Sequence, residues 1–309
     1  MSDDSNSLSS KVSPTSATHD RRKRDGWFRW ASSLIVWLRK VISELVRSKS
    51  ATIGAAIILL WVFIAIAAPI ISPYSPTEMP GTRLESPSRE HWLGTDHIGR
   101  DVLTRLFWGT RVVVALAPIS VLLGILMGAP LGLISGYVGG ALDTLIMRGS
   151  DIIYSFPMLL IQILIITSMP PSVLIVIISV AIGNVPVIAR IVRSLALDER
   201  TKDYVNAARL RGERRSYILM REILPNVSGP IIVDATIRIG YAIMYIGSLG
   251  FLGLGIPPPT PDWGGMINTG RPWIFTMPWV VLAPAAALSS VVIALNLLAD
   301  GIREIGQQR

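Results

Sequence analysis

The sequence predicts an all-α membrane protein with six transmembrane helices, and three observations carry that prediction. Half of the 309 residues are hydrophobic and the mean hydropathy is +0.51, more than a soluble domain with an ordinary charged surface carries. Six runs nearly free of charge recur, near 52 to 72, 112 to 136, 152 to 168, 171 to 190, 229 to 253 and 279 to 299. At about 1.5 Å per residue, a helical run of about 20 residues matches the roughly 30 Å hydrocarbon core of a bilayer. The basic residues, finally, are spread unevenly among the connecting segments, as membrane topology demands.

Residues 1 to 25 are rich in Ser, Thr and Asp and are expected to form a disordered tail. The tail is expected to stay with the mature protein, because the first apolar run starts about fifty residues in and is long enough to span. Within residues 26 to 50, "GWFRWASSLIVWLRKVISELV" repeats Trp27, Trp30, Leu34, Trp37, Leu38, Val41 and Leu45 at helical spacing, opposite Arg29, Ser33, Lys40 and Arg47. That pattern predicts an interfacial amphipathic helix with membrane lipid as its partner, a helix packed against protein being the alternative. No nucleic-acid partner is expected, since a formal charge of +8 in a multi-span chain reflects topology.

Residues 1 to 50 carry ten Lys or Arg and the loop near 190 to 226 carries nine, whereas 73 to 110 has four against five acids. The positive-inside rule places the tail and the loop at 191 to 227 in the cytoplasm, with all five lysines on that side. Six spans return the C-terminus to the cytoplasm. A six-helix domain over 51 to 309 then has external loops at 73 to 111 and 254 to 278. Trp263, Trp273 and Trp279 are expected at the headgroup layer beside the second of these loops.

In the second span, "GILMGAPLGLISG" places Gly124, Gly128, Gly132 and Gly136 every four residues, clearing one helix face for another backbone. Pro118 and Pro130 each remove a donor from the same helix and are expected to bend it. The third span is short and leans on the segment before it. The fifth span closes with "IGSLGFLGLGIPPP", where Gly247, Ser248, Gly250, Gly253 and Gly255 favour an irregular exit. Such a run lines either a translocation path or a plain loop.

Ionisable residues near the spans are few: Asp143, Arg148, Asp151, Asp234, Arg238 and Asp300. Asp234 and Arg238 stand four apart with the acid first, so they are expected to pair on one face, or else to contribute to a gate. Asp143, Arg148 and Asp151 are expected to snorkel or to pair between helices. His19, His91 and His97 all fall outside the spans, which excludes a His-based triad or zinc site at membrane depth, and His91 and His97 read as surface residues. With no cysteine and no G-x-x-x-x-G-K-[ST] loop, the chain is expected to hold no metal, no cofactor and no ATP of its own.

The cytoplasmic loop carries "VNAARLRGERRSYILMREILPN". Asp198 is the expected N-cap of a helix holding Tyr204, Ala207 and Ala208 on one side. Gly212 supplies the positive φ of a C-cap, and a second short helix follows, with Tyr217, Met220 and Leu224 on one side and Pro225 at its end. Alanine lets another surface come close and arginine supplies charge-assisted hydrogen bonds, so this helix-turn-helix suits docking to a partner.

"NAARLRGERRSYILMREILP" resembles the EAA loop of ABC importer permeases, whose pattern is E-A-A, three residues, G, then I-x-L-P. Ala207, Ala208, Gly212, Leu224 and Pro225 match, Ile223 adjoins them, and Asn206 stands in place of the glutamate. "HWLGTDHIGRDVLTRLFWGTR" at 91 to 111 and "SLGFLGLGIPPPTPDWG" at 248 to 264 resemble the C-type permease of dipeptide, oligopeptide and nickel importers. The resemblance covers residues 50 to 309 and implies a type I importer permease of the bacterial cytoplasmic membrane, not itself an enzyme. It further implies a B-type permease partner, two cytoplasmic ATPases that hold ATP and Mg, and an extracytoplasmic binding protein that delivers short peptides. The rival reading is a secondary transporter driven by an ion gradient through Asp151 and Asp234.

Overall fold

The computed structural model describes residues 48–307, so the expected tail and nearly all of the expected interfacial helix lie outside the described residues. Helix α1 (Lys49–Ile71) begins at Lys49, so residues 49 and 50 form the first turn of a span instead of closing the interfacial helix. Its buried face is Ala51, Gly54, Ala65 and Ala68. Small residues are required there because the final helix crosses so closely that a Cβ on Gly54 would stand 2.5 Å from the Ala294 carbonyl oxygen.

Helix α2 (Val102–Val138) is 37 residues long, about 55 Å, and starts well before the expected second span. Asp101 caps it, its carboxylate accepting from the Thr104 N–H at 2.7 Å. Its first turns bury Val102, Thr104, Arg105, Leu106, Gly109 and Thr110, so the external loop closes at Asp101 and not at residue 111. The helix continues through Pro118 and Pro130.

The third span departs from expectation. Helix α3 (Gly140–Tyr154) and helix α4 (Met158–Thr167) are bent by 82° at the Ser155-Phe156-Pro157 break. Pro157 cannot donate into a continuing helix and drives Phe156 away from helical geometry. At ten residues α4 reaches about 15 Å, half of a hydrocarbon core, so only the bent pair together could cross. Among the described residues, five unbroken helices are long and apolar enough to cross a membrane, and six spans result if the pair counts as one.

Ser172 caps helix α5 (Val173–Glu199), accepting from the Leu174 N–H at 3.2 Å. The glycine stripe of α2 lies along this helix. A Cβ at Gly128 would meet the Val185 carbonyl oxygen at 2.8 Å, and one at Gly136 would meet that of Arg193 at 2.6 Å. Gly124 faces Ala181 and Asn184, and Gly132 faces Ala189, Val192 and Arg193. The stripe is therefore an internal seam, and α2 with α5 is the most extensive helix pair in the bundle.

A short helix α6 (Asp203–Leu210) precedes α7 (Arg215–Phe251), which contains a π-helical turn at Ile218–Ile223. Helix α8 (Trp263–Gly270) lies within the external loop, and α9 (Trp279–Gln307) is the last described helix. Trp263 is buried rather than interfacial: its Nε1–H donates to the Leu106 carbonyl at 3.0 Å and its ring meets Trp61 edge-on at 5.0 Å. The polar tip that suits a headgroup layer is here satisfied inside the bundle.

Two apolar clusters organise the packing. The larger joins α2, α5, α7, α8 and α9 around Val121, Val180, Ile246, Leu249 and Trp263. The smaller gathers Leu133, Ile188, Val192, Val205, Ala208, Ile218, Ile223 and Val227, at the end of the bundle that carries Gly212.

Candidate coupling site

The end of α6 shows why glycine stands at 212. The Glu213 N–H donates to the Ala208 carbonyl at 3.2 Å and the Gly212 N–H to that of Arg209 at 2.9 Å, the paired bonds of a Schellman cap. Gly212 has φ of +75°, and nothing lies within 4 Å of where a Cβ would be, so the demand is conformational and not spatial. Expectation and structure agree at this residue.

The two helices around the turn differ from the expected ones. Asp198 sits inside the last turn of α5, and α6 starts at Asp203 after Lys202, which makes no side-chain cap. Pro225 does not end the second helix. It occupies the first turn after the π-helical segment, where its missing N–H is tolerated, and α7 runs on through Pro230 to Phe251. The buried face is likewise not Tyr217, Met220 and Leu224. Ile218 and Ile223 are sealed at 1% and 0% exposure, five residues apart, which one π-turn brings onto a single face, and Val227 and Ile231 extend it. Helical spacing of 3.6 misassigns a face across such a turn.

Ala207 and Ala208 also part company. Ala208 is wholly buried against the second cluster, while Ala207 is exposed beside Asn206 and a Leu210 that is 90% exposed. Across the turn, Gly212, Glu213, Arg214, Ser216, Tyr217, Met220 and Arg221 line an open hollow of about 530 Å³. An apolar tip beside a cationic hollow is suited to a partner groove offering apolar contacts and carboxylates. Asn206 donates weakly from Nδ2 to the Thr201 carbonyl at 3.5 Å. Ile223, Leu224 and Pro225 serve the base of the projection rather than its tip.

Sequence reasoning missed the ties beneath this tip. Arg200 Nη1 donates to the Gly136 carbonyl at 3.0 Å, at the C-terminal end of α2, where a cation complements the helix dipole. Arg209 lies 5.0 Å over the Tyr137 ring. The Tyr204 hydroxyl donates to Glu199, and burial together with that carboxylate holds the phenol well above its ordinary pKa. The readable signal was Tyr137 just after the second apolar run and the arginines that close and follow the fourth.

Three of the four acids near the spans are engaged, and the fourth, Asp300, is exposed towards the end of α9. Arg193 grips Asp143 through Nε and Nη2 at 2.5 and 2.6 Å, and Ser135 donates to the same carboxylate. Arg190 bonds Asp151 at 2.9 Å. Asp234 and Arg238 pair as expected, at 2.5 and 3.2 Å, along one face of α7.

Of the glycines at the end of α7, Gly247 and Gly250 lie in regular helix, while Gly253, with φ of +78°, and Gly255 follow its end at Phe251. The helix ends at a second Schellman cap, with the Leu254 N–H donating to Leu249 at 2.8 Å and the Gly253 N–H to Gly250 at 2.9 Å. Gly247 and Gly250 are buried where α8 crosses: a Cβ at Gly250 would stand 2.5 Å from Asp262 Oδ1 and 2.9 Å from the Gly264 Cα. Ser248, beside them, is partly buried. Asp262 caps α8, accepting from the Gly265 N–H at 3.0 Å, and its burial raises the carboxyl pKa.

In the loop at 72–101, His91 is not a surface residue. It is buried, with Nδ1 3.0 Å from Asp101, the same residue that caps α2. Asp96 accepts from the N–H groups of Ile98 and Arg100 at 3.0 Å and from Arg100 Nε at 2.7 Å. These bonds fold "HWLGTDHIGRD" into a cap over the start of α2.

A bundle of long apolar helices with internally neutralised acids and one projecting helix-turn-helix defines a membrane permease subunit of the type I ABC importer fold. The chain belongs to the binding-protein-dependent transport system inner membrane component family, whose model matches residues 128–309. A second family model, the N-terminal TM domain of oligopeptide transport permease C, matches residues 37–87. The dipeptide transport system permease protein DppC of Alkalihalophilus pseudofirmus is 40% identical over 267 residues, 86% of this chain and 88% of that one. The glutathione transport system permease protein GsiD of Pectobacterium atrosepticum is 38% identical, over 86% and 89%. In the solved inward-facing MetNI methionine ABC transporter, a chain 20% identical superposes with a TM-score of 0.52, over 66% of this chain and 96% of that one. The gradient-driven alternative through Asp151 and Asp234 has no support, since both carboxylates are ion-paired and the family is that of ABC importer permeases.

Proposed function

We propose that this chain is the C-type permease of an importer for short peptides, in the bacterial inner membrane with both termini cytoplasmic. The single observation that carries its mechanism is the projecting α6 tip closed by Gly212, exposed at Ala207 and Leu210 yet rooted in the bundle at Ala208. A B-type permease completes the substrate path. Two cytoplasmic ATPases hold ATP and Mg, each receiving one permease's docking helices in a surface groove, and an extracytoplasmic binding protein delivers the solute.

Closure of the ATPase pair on ATP displaces α6, and the bundles rock between inward and outward openings. This chain's share of the cycle is transmission and path formation. Asn206, Ala207, Ala208, Gly212, Ile223, Leu224 and Pro225 form the docking unit, while Asp143, Asp151 and Asp234 stay neutralised by arginine, which lowers the cost of holding charge near lipid. Peptides are the solute class that the dipeptide relative and the oligopeptide permease family model support.

The test is purification of the full complex and uptake of a labelled dipeptide into proteoliposomes. Uptake that needs ATP and the binding protein, and that survives collapse of the proton gradient, supports the assignment. Uptake driven by the gradient without ATP would refute it, and displacement of the dipeptide by glutathione but not by other peptides would move the solute class.

A further inference from the structure

Resting on that reading, the geometry points to a clamp: Arg209 on Tyr137, with the buried Val205 and Ala208, fastens α6 to α2 and α5, and Arg200 at the end of α5 locks those two helices together, so that motion of the docking helix is delivered to them as one rigid body. The three ties are independent in kind. Arg200 hydrogen-bonds the carbonyl of Gly136 at 3.0 Å, Arg209 stacks 5.0 Å over the Tyr137 ring and reaches its hydroxyl at 3.4 Å, and Val205 and Ala208 are fully buried with Leu133, Val192 and Ala196.

What the clamp grips is itself rigid. The seam of Gly124, Gly128, Gly132 and Gly136 brings the α5 backbone against α2 with no room for sliding over a methyl group. Asp143, held by Ser135 of α2 and Arg193 of α5, adds the start of α3 to the same unit. Helix α7 is attached differently. Its first residues Ile218 and Ile223 pack with the body, but the ladder behind them contains a π-turn and then Pro225 and Pro230, neither of which can donate. A π-turn followed by the missing bond at Pro230 is where a helix bends most easily. Motion of α6 therefore enters α2 and α5 directly, and α7 yields at 218–230.

The chain has no cysteine, so paired labels can be introduced without background. Spin labels at Asp203→Cys and Leu131→Cys report α6 against α2, and labels at Asp203→Cys and Tyr241→Cys report α6 against the far part of α7. The measurement is made in the full complex with its ATPases, nucleotide-free and ATP-trapped. The clamp predicts an unchanged first distance and a changed second one. Tyr137→Leu combined with Arg200→Ala should broaden the first distance and cut solute moved per ATP hydrolysed several-fold, with the ATPases still bound. Tyr137→Phe, which keeps the ring, should restore both.

A first distance that shifts on ATP binding as much as the second would overturn the clamp, as would a double variant that keeps wild-type coupling. Loss of ATPase binding in the double variant also counts against it, because the ties would then shape the docking surface instead of transmitting from it. A wild-type complex that never binds an ATPase would sink the underlying reading, and the clamp with it; the wild-type sample separates the two failures.

Discussion

Replacing Gly132 with Ala should unlock the α2–α5 seam, and the structure sets the scale. An added Cβ meets the Ala189 carbonyl oxygen, lies 2.8 Å from the Val192 Cβ and 2.9 Å from the Arg193 nitrogen. Ordinary contact begins at 3.4 Å, so α5 must retreat by roughly 1 Å, a gap that forfeits a quarter to a half of each dispersion contact around it. Overpacking of this kind costs about 1–3 kcal/mol. Alanine also gains up to about 1 kcal/mol of helix propensity over glycine, which would mask part of the loss. Gly149→Ala supplies the control, because Gly149 is helical and has nothing within 4 Å of its Cβ position. Both substitutions gain the same propensity, so the stability difference between them isolates packing and should be about 1–3 kcal/mol. Equilibrium unfolding by SDS in mixed micelles measures it for the purified chain. Equal stabilities for the two variants would show that the seam is not close-packed.

Gly212→Val is expected to leave membrane insertion intact while costing about 1–2 kcal/mol at the left-handed turn and abolishing ATP-coupled uptake; normal uptake would remove Gly212 from the coupling unit. Asp143→Asn should destabilise the bundle by about 1.5–3 kcal/mol through loss of the charged bonds from Arg193. A double-mutant cycle with Arg193→Met checks that assignment, and a coupling energy near zero would contradict it. Asp101→Ala removes both the α2 cap and the partner of His91, and should cost about 1–2 kcal/mol, seen as earlier proteolysis within 72–101. Protection equal to wild type would mean that the loop is held by Asp96 alone.

How much of this was legible depends on distance along the chain. Gly212 was readable because a Schellman cap is decided within six residues by chirality, and Asp234 with Arg238 because one helical turn brings them together. The seam was readable as a cleared face, though not which helix fills it. The partners of Asp143 and Asp151 were not, since Arg193 and Arg190 lie on another helix whose rotation no local rule supplies. His91 and Trp263 were read as surface and interface residues because single-residue preferences are averages, and both are satisfied by atoms from distant segments. The face of α7 was misread because a π-turn changes the period on which the reading relies.

What the sequence by itself determined is the membrane class, the apolar runs, the glycine stripe and the turn at 212. Each follows from composition or from contacts within one helical turn. Only the tertiary structure decided the bend between α3 and α4, the burial of His91 and Trp263, and the pairing of Asp143 and Asp151. Those outcomes depend on which helices lie side by side, and side-by-side packing is chosen by the fit of whole surfaces to one another.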